Sequence, residues 1–157
     1  MRLNELLNEK RSQAVMQYLS GLFPNMPEYV LRDLVYKNYK NDLKGAKEMV
    51  PNFGKLQWSK ETLTITTDIF DEFTRKKLAA RDGGSANPDQ VPNDAERHDT
   101  QQKLIQTGPA KEPIILRAST DGYELIEGWH RTIQSLQQWP DGYKQTAWVG
   151  KWELTNL

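Results

Sequence analysis

The stretch EPIILRASTDGYELIEGWHRTIQSL, residues 112–136, changes its apolar period at a single glycine. EPIILRAS (112–119) is a near-continuous apolar run of strand length, and Asp121-Gly122 is a hairpin signal ahead of YELIE. On that second strand Tyr123, Leu125 and Glu127 point one way and Glu124 and Ile126 the other. After Gly128, the residues Trp129, Ile133 and Leu136 fall at helical spacing, so the period switches from about two to about 3.6 residues. The reading is a hairpin that feeds a helix through one glycine.

The flanking sequence supplies more strands and helices. TLTIT (62–66) alternates and is rich in β-branched residues, as a half-buried strand is, and Thr67 or Asp68 is placed to cap a helix carrying Phe70, Phe73 and Leu78. RDGGSANPDQVPND (81–94) has no periodicity and reads as an exposed loop, long enough to be a functional candidate. Asn93 or Asp94 caps a polar helix, AERHDTQQKLIQT, which Gly108 and Pro109 end. A last strand is expected in TAWVGKWEL (146–154). Strands and helices in this order predict an α+β domain over residues 52–157.

The first 51 residues read differently. Leu3, Leu6, Leu7, Ala14, Tyr18, Leu19 and Leu22 recur at helical spacing and predict one amphipathic helix. Pro27 suits the first turn of a second helix with Val30, Leu31, Leu34 and Val35 on its apolar side. Asp42 can cap a third, short helix that carries Leu43, Ala46, Met49 and Val50 and ends at Pro51. The expectation is a small three-helix unit. Residues 22–50 also resemble the CUE branch of the ubiquitin-associated helical domains, with Leu22-Phe23-Pro24 where that family has Met-Phe-Pro and Met49-Val50 where it has a dileucine. The resemblance implies a docking module that grips a protein partner through Leu22, Phe23, Pro24, Leu31, Met49 and Val50. An ordinary helical packing unit is the other reading of the same spacing.

Composition narrows the chemistry. Cysteine is absent, which excludes disulfides and thiolate nucleophiles, and with only His98 and His130 present a structural zinc site is not expected. The 21 basic and 21 acidic residues cancel, so there is no global positive field of the kind that drives nucleic-acid binding. TRKKLAAR (74–81) is the best local basic patch, and it also reads as the solvated face of a helix. No run of about 18 apolar residues exists, and the charged N-terminus lacks an apolar h-region. A cytoplasmic protein with no membrane partner is expected.

The junction at Gly128 has a chemistry of its own. A helix N-terminus presents backbone N–H groups and partial positive charge, and glycine lets an anion approach closely. His130 and Arg131 add side-chain donors and Thr132 a hydroxyl, so Gly128, Trp129, His130, Arg131 and Thr132 form a candidate anion pocket. Alternatively, Trp129 packs in the core while His130 and Arg131 pair with Glu127 or Glu124.

HDTQQKLIQTGPAKEPIILRASTDGYELIEGWHRTIQSL (98–136) resembles the core of the ParB/sulfiredoxin superfamily. ParB proteins carry Gly-Glu-Arg-Arg at this junction, sulfiredoxins Gly-Cys-His-Arg, and the free-serine kinases of the superfamily a similar Gly-x-His-Arg. The resemblance implies a mixed sheet with helices and a nucleotide, ATP or CTP with Mg²⁺, bound by its phosphates at residues 128–132. It also implies NTP hydrolysis or phosphoryl transfer, and short phage and plasmid proteins labelled ParB-like nucleases look similar. Trp129 stands where sulfiredoxins have their cysteine, which excludes their chemistry. The helix-turn-helix region by which ParB proteins hold specific DNA has no counterpart in the residues that follow, so DNA binding or nicking is disfavoured.

Phosphoryl transfer needs a carboxylate beside the phosphate cradle, and Glu127 and Glu112 are the catalytic candidates, though each also reads as a surface strand residue. Arg97 and His98, on the polar helix, are possible second contributors. Trp129, Trp139, Trp148 and Trp152 are candidates for stacking on a base or for core packing. The competing class is a non-enzymatic adaptor, its helical module or Trp-rich end gripping a partner.

Overall fold

A computed structural model describes residues 2–81 and 112–152. The chain divides into two units, Met1–Trp58 with Gly150–Leu157, and Ser59–Val149. The division therefore falls inside two strands, whereas the sequence pattern placed it at Pro51. The expected loop at 81–94 and the helix after it lie outside the described residues, apart from Arg81.

The first unit is built of helices. Leu3–Leu22 (α1) is followed by one rod in three pieces, Glu28–Val30 (α2), a π-helical stretch Leu31–Tyr36, and Lys37–Tyr39 (α3). Leu43–Glu48 (α4) and Val50–Phe53 (α5) complete it. Asp42 caps α4 as expected, accepting the Gly45 N–H at 3.0 Å. Pro51 does not end that helix. It sits in the first turn of α5, where a missing N–H costs nothing. The core is Leu19, Phe23, Val30, Leu34, Val35 and their neighbours, each burial contributing about 1.5–3 kcal/mol. The stripe expected on α1 is mostly turned to solvent: of Leu3, Leu6, Leu7, Ala14, Tyr18, Leu19 and Leu22 only Leu19 is fully buried. Tyr36 ties the rod to α1 by donating to Ser12 Oγ at 3.0 Å.

The second unit is an α+β layer. Gln57–Ile65 (β1), Ile114–Ser119 (β2), Gly122–Glu127 (β3) and Tyr143–Lys151 (β4) form a sheet in the order β1-β4-β2-β3, with helices Glu72–Arg81 (α6) and Trp129–Gln138 (α7). β2 and β3 are antiparallel and closed by the pair Ser119↔Gly122, so Thr120 and Asp121 form the turn. Gly122 has φ +142°, and a Cβ there would lie 2.6 Å from the Ile69 carbonyl oxygen. No other residue fits.

That close approach is how the exposed side of β3 is covered. Phe70 forms a single parallel bridge with Tyr123, the Asp71 N–H donates to the Tyr123 carbonyl at 2.9 Å, and the Leu125 N–H donates to Thr74 Oγ1 at 3.2 Å. A strand edge would otherwise leave these backbone groups without partners. Thr67 and Asp68 do not cap the helix. They lie in a 3-10 turn, Thr67–Ile69, and α6 is capped instead by Asp71, which accepts the Thr74 N–H at 2.8 Å. Asp121, from the hairpin turn, accepts the Glu72 N–H at 3.1 Å. Ile65, Phe70, Leu78, Ile114, Leu116, Leu125, Ile133, Ala147 and Val149 fill the core between sheet and helices.

Candidate functional site

The junction lies where β3 runs into α7. Ile115 pairs with Glu127 but Leu116 pairs with Leu125, so Ile126 is the extra residue of a β-bulge. The bulge breaks the strict alternation expected for Tyr123 to Glu127 and re-aims the chain into the helix. Gly128 then adopts φ +103°, ψ 26°, and a Cβ on it would lie 2.6 Å from Ile114 Cγ2. The glycine is demanded by both conformation and space. Its carbonyl accepts the Thr132 N–H at 2.9 Å, which starts the helix. No side chain of the N-cap residue closes the helix end, and the first turn holds no acidic residue.

Arg131 is the most constrained member. Its side chain is only 15% exposed and donates to the Glu112 carbonyl at 3.0 Å and to the Pro113 carbonyl at 3.4 Å. Its guanidinium also faces the Glu112 carboxylate at 3.6 Å. The Glu112 carbonyl accepts a second donor, Gln145 Nε2, at 3.0 Å. Arg131 thus pins the chain just before β2 to the start of α7, and Gln145 pins it to β4. Pairing of Arg131 with Glu124, one of the alternatives, does not occur: Glu124 is taken by its cross-strand neighbour Arg117, whose Nε donates at 2.9 Å.

The other expected residues divide between surface and interior. Trp129 packs against the core while its ring is faced by the Lys77 ammonium, 5.1 Å from the ring centroid. Lys77 also lies 5.0 Å from the centroid of Phe73, an exposed aromatic on the same helix. His130 is half-buried. Thr132 is 1% exposed, so its hydroxyl faces the interior and is not a surface donor to an anion. It and Ser135 lie against the Tyr143 hydroxyl without hydrogen bonds of normal geometry. Burial pushes the Tyr143 pKa up to about 12, and Ser135, Thr132 and the Arg131 charge pull it back only in part.

Glu112 and Glu127, the two candidate carboxylates, flank the junction, Glu112 largely exposed at the chain entering β2 and Glu127 half-buried immediately before Gly128. Among the described residues no three His, Asp or Glu side chains gather as a metal-binding group. Arg97 and His98 lie outside the described residues. Trp139 packs against the core and its ring sits 6.0 Å from that of Tyr143, Trp148 is half-buried, and Trp152 is exposed.

Sequence reasoning missed Lys77 and Phe73, since nothing local in TRKKLAAR says that this turn will face Trp129, 52 residues further on (129 − 77). In the helical unit, Phe23 and Leu31 of the expected partner-gripping patch are buried in the core, 1% and 4% exposed. Leu22, Met49 and Val50 are half-buried and Pro24 is exposed. The patch as a whole is therefore not an open surface. No helix among the described residues is long and apolar enough to cross a membrane. No protein-family model, curated protein or solved structure matches the chain.

Proposed function

We propose that the Ser59–Val149 unit binds the phosphate end of a nucleotide, ATP or CTP with Mg²⁺, at the start of α7. The observation that carries this reading is a ten-residue helix whose N-terminus has neither a side-chain cap nor an acidic residue in its first turn, with Arg131 and Lys77 beside it. Arg131 spends two of its five N–H donors on the carbonyls of Glu112 and Pro113, and the rest can meet a phosphate. Gly128 and the backbone of Trp129 and His130 would form the cradle. Mg²⁺ is commonly held by one or two carboxylates together with substrate phosphates, a role for Glu112 or Glu127. NTP hydrolysis or phosphoryl transfer is the activity this arrangement would serve, with one of the two carboxylates holding Mg²⁺ and the other, left free of the metal, accepting the proton of the attacking hydroxyl or water.

The test is a thermal-shift and calorimetric titration with ATP, CTP, ADP and pyrophosphate, each with and without Mg²⁺. At about 100 times its dissociation constant a ligand should stabilise the protein by about 2.7 kcal/mol. Lys77→Ala, a surface change that leaves the core intact, should weaken binding about tenfold, equivalent to about 1.4 kcal/mol. If none of these anions shifts the melting temperature, the reading is abandoned; if they bind without phosphate release, the site is a binding site alone.

A further inference from the structure

The two sides of α1 differ in a way the helical unit does not use. At about 100° per residue, Ser12, Val15, Met16 and Leu19 share the packed side. Leu3, Leu6, Leu7, Ala14 and Tyr18 lie on the far side, and Leu3 is 70%, Leu7 55% and Tyr18 44% exposed. Lys10 and Arg11 fall within and beside this stripe, and neither has an ion-pair partner among the described residues. Glu5 and Glu9 project from the other side, so the leucine face carries positive charge only. Gln13 borders the stripe beside Leu6 and Gln17 falls within it next to Lys10, and both line a groove of about 450 Å³ closed by Met16, Glu28, Arg32 and Tyr36. Leu3 to Tyr18 extends about 22 Å along the axis. An apolar strip of that length and width, with a groove at its side, has the shape of a seat for another helix.

We propose that this face of α1 docks an acidic amphipathic helix of a partner protein. Leucines of the partner would cover Leu3, Leu6 and Leu7, and its carboxylates would meet Lys10 and Arg11. A second copy of this chain is a poorer occupant, because its matching face brings the same cations and no acid. The surface is distinct from the CUE-like patch, whose Phe23 and Leu31 are interior.

The experiment uses the full chain and two labelled synthetic helices of about six turns, one with leucines at helical spacing and glutamates between, the other with lysines in place of the glutamates. Fluorescence anisotropy should show binding of the acidic helix and none of the basic one. Leu7→Asp, and Lys10→Glu with Arg11→Glu, should each weaken binding at least tenfold while circular dichroism stays unchanged. Failure of the acidic helix to bind, equal binding of both helices, or wild-type affinity in the charge-reversed variant overturns the proposal. So does a dimer in sedimentation that Leu7→Asp dissolves, which would give the face to a second copy. Binding of phosphatidylserine vesicles, lost in the same variants and without peptide binding, overturns it in favour of a lipid surface.

Discussion

Two helices of the Ser59–Val149 unit begin in opposite electrostatic company. α6 starts under two carboxylates, Asp71 accepting the Thr74 N–H and Asp121 the Glu72 N–H, with Glu72 itself in the first turn. α7 starts at a positive-φ glycine with no acid in its first turn and cations at its side. The positive end of α6 is neutralised by the chain itself, and that hydrogen bonding holds the Asp121 carboxyl below its usual pKa. At α7 no side chain of the N-cap residue and no first-turn acid meets the helix end, and the nearest carboxylates, Glu112 and Glu127, lie outside the helix, Glu112 facing Arg131 at 3.6 Å. The contrast is in capping: the start of α6 is satisfied by two carboxylates of the chain, and the start of α7 by no N-cap side chain.

The strongest way to break the contrast is at the glycine. Gly128→Ala forces a Cβ into the positive-φ region and against Ile114, and should cost about 3 kcal/mol or more in urea denaturation. A loss under about 1 kcal/mol would mean the helix start does not depend on this residue.

Under α7, Tyr143 gives the next largest effect. Its folded pKa of about 12 lies above the ordinary 10, so between those values the folded state holds the proton that the unfolded chain has released. The contribution is complete below pH 10 and is lost as pH rises towards 12, at about 1.4 kcal/mol per pH unit. Tyr143→Phe should flatten this alkaline limb in a pH series of melting curves; an unchanged limb would assign it to other groups.

At α6, Asp71→Ala removes a cap and should destabilise by about 1–2 kcal/mol, while phosphate or sulfate should not restore the loss, since Asp121 still occupies that helix end. Smallest of all is Lys76→Ala. Its pairing with Glu72 at 3.1 Å is between exposed groups, and the change should stay within about 0.5 kcal/mol.

The parts legible in sequence were those written in local periodicity. The switch at Gly128, the packing of Ile133 with Trp129 and Leu136 against the core, the cap at Asp42 and the hairpin after β2 all follow from residues within a few positions of one another. What periodicity could not give was which partner each face meets. α1 reads as a leucine stripe, yet its buried side is the one that meets the later stretch Leu31–Tyr36, so Leu19 is buried while Leu3 and Leu7 stay in water. The α6 cap was misplaced for a related reason: Thr67 and Asp68 are good capping residues, but Phe70 is drawn into the core and Asp71 onto β3 before the helix can begin. At the site, the Gly-x-His-Arg spacing located the junction, while the Ile126 bulge, the inward turn of Thr132 and the approach of Lys77 depend on strand register and on α6, which no window around Gly128 contains.

The way α6 sits on β3 also limits how these sheets could join one another. In the order β1-β4-β2-β3 two strands of the described residues have an outer edge, and on β3 that edge is occupied by Phe70, Asp71 and Thr74 of the same chain. Among the described residues, that leaves β1 as the strand whose outer edge no other element is shown to cover. That strand carries Lys60 and Glu61, charges that oppose edge-to-edge growth. The described sheet thus has one end closed by its own chain and one end that carries charge, and Thr74 and Asp71 are the residues whose hydrogen bonds keep the first of these closed.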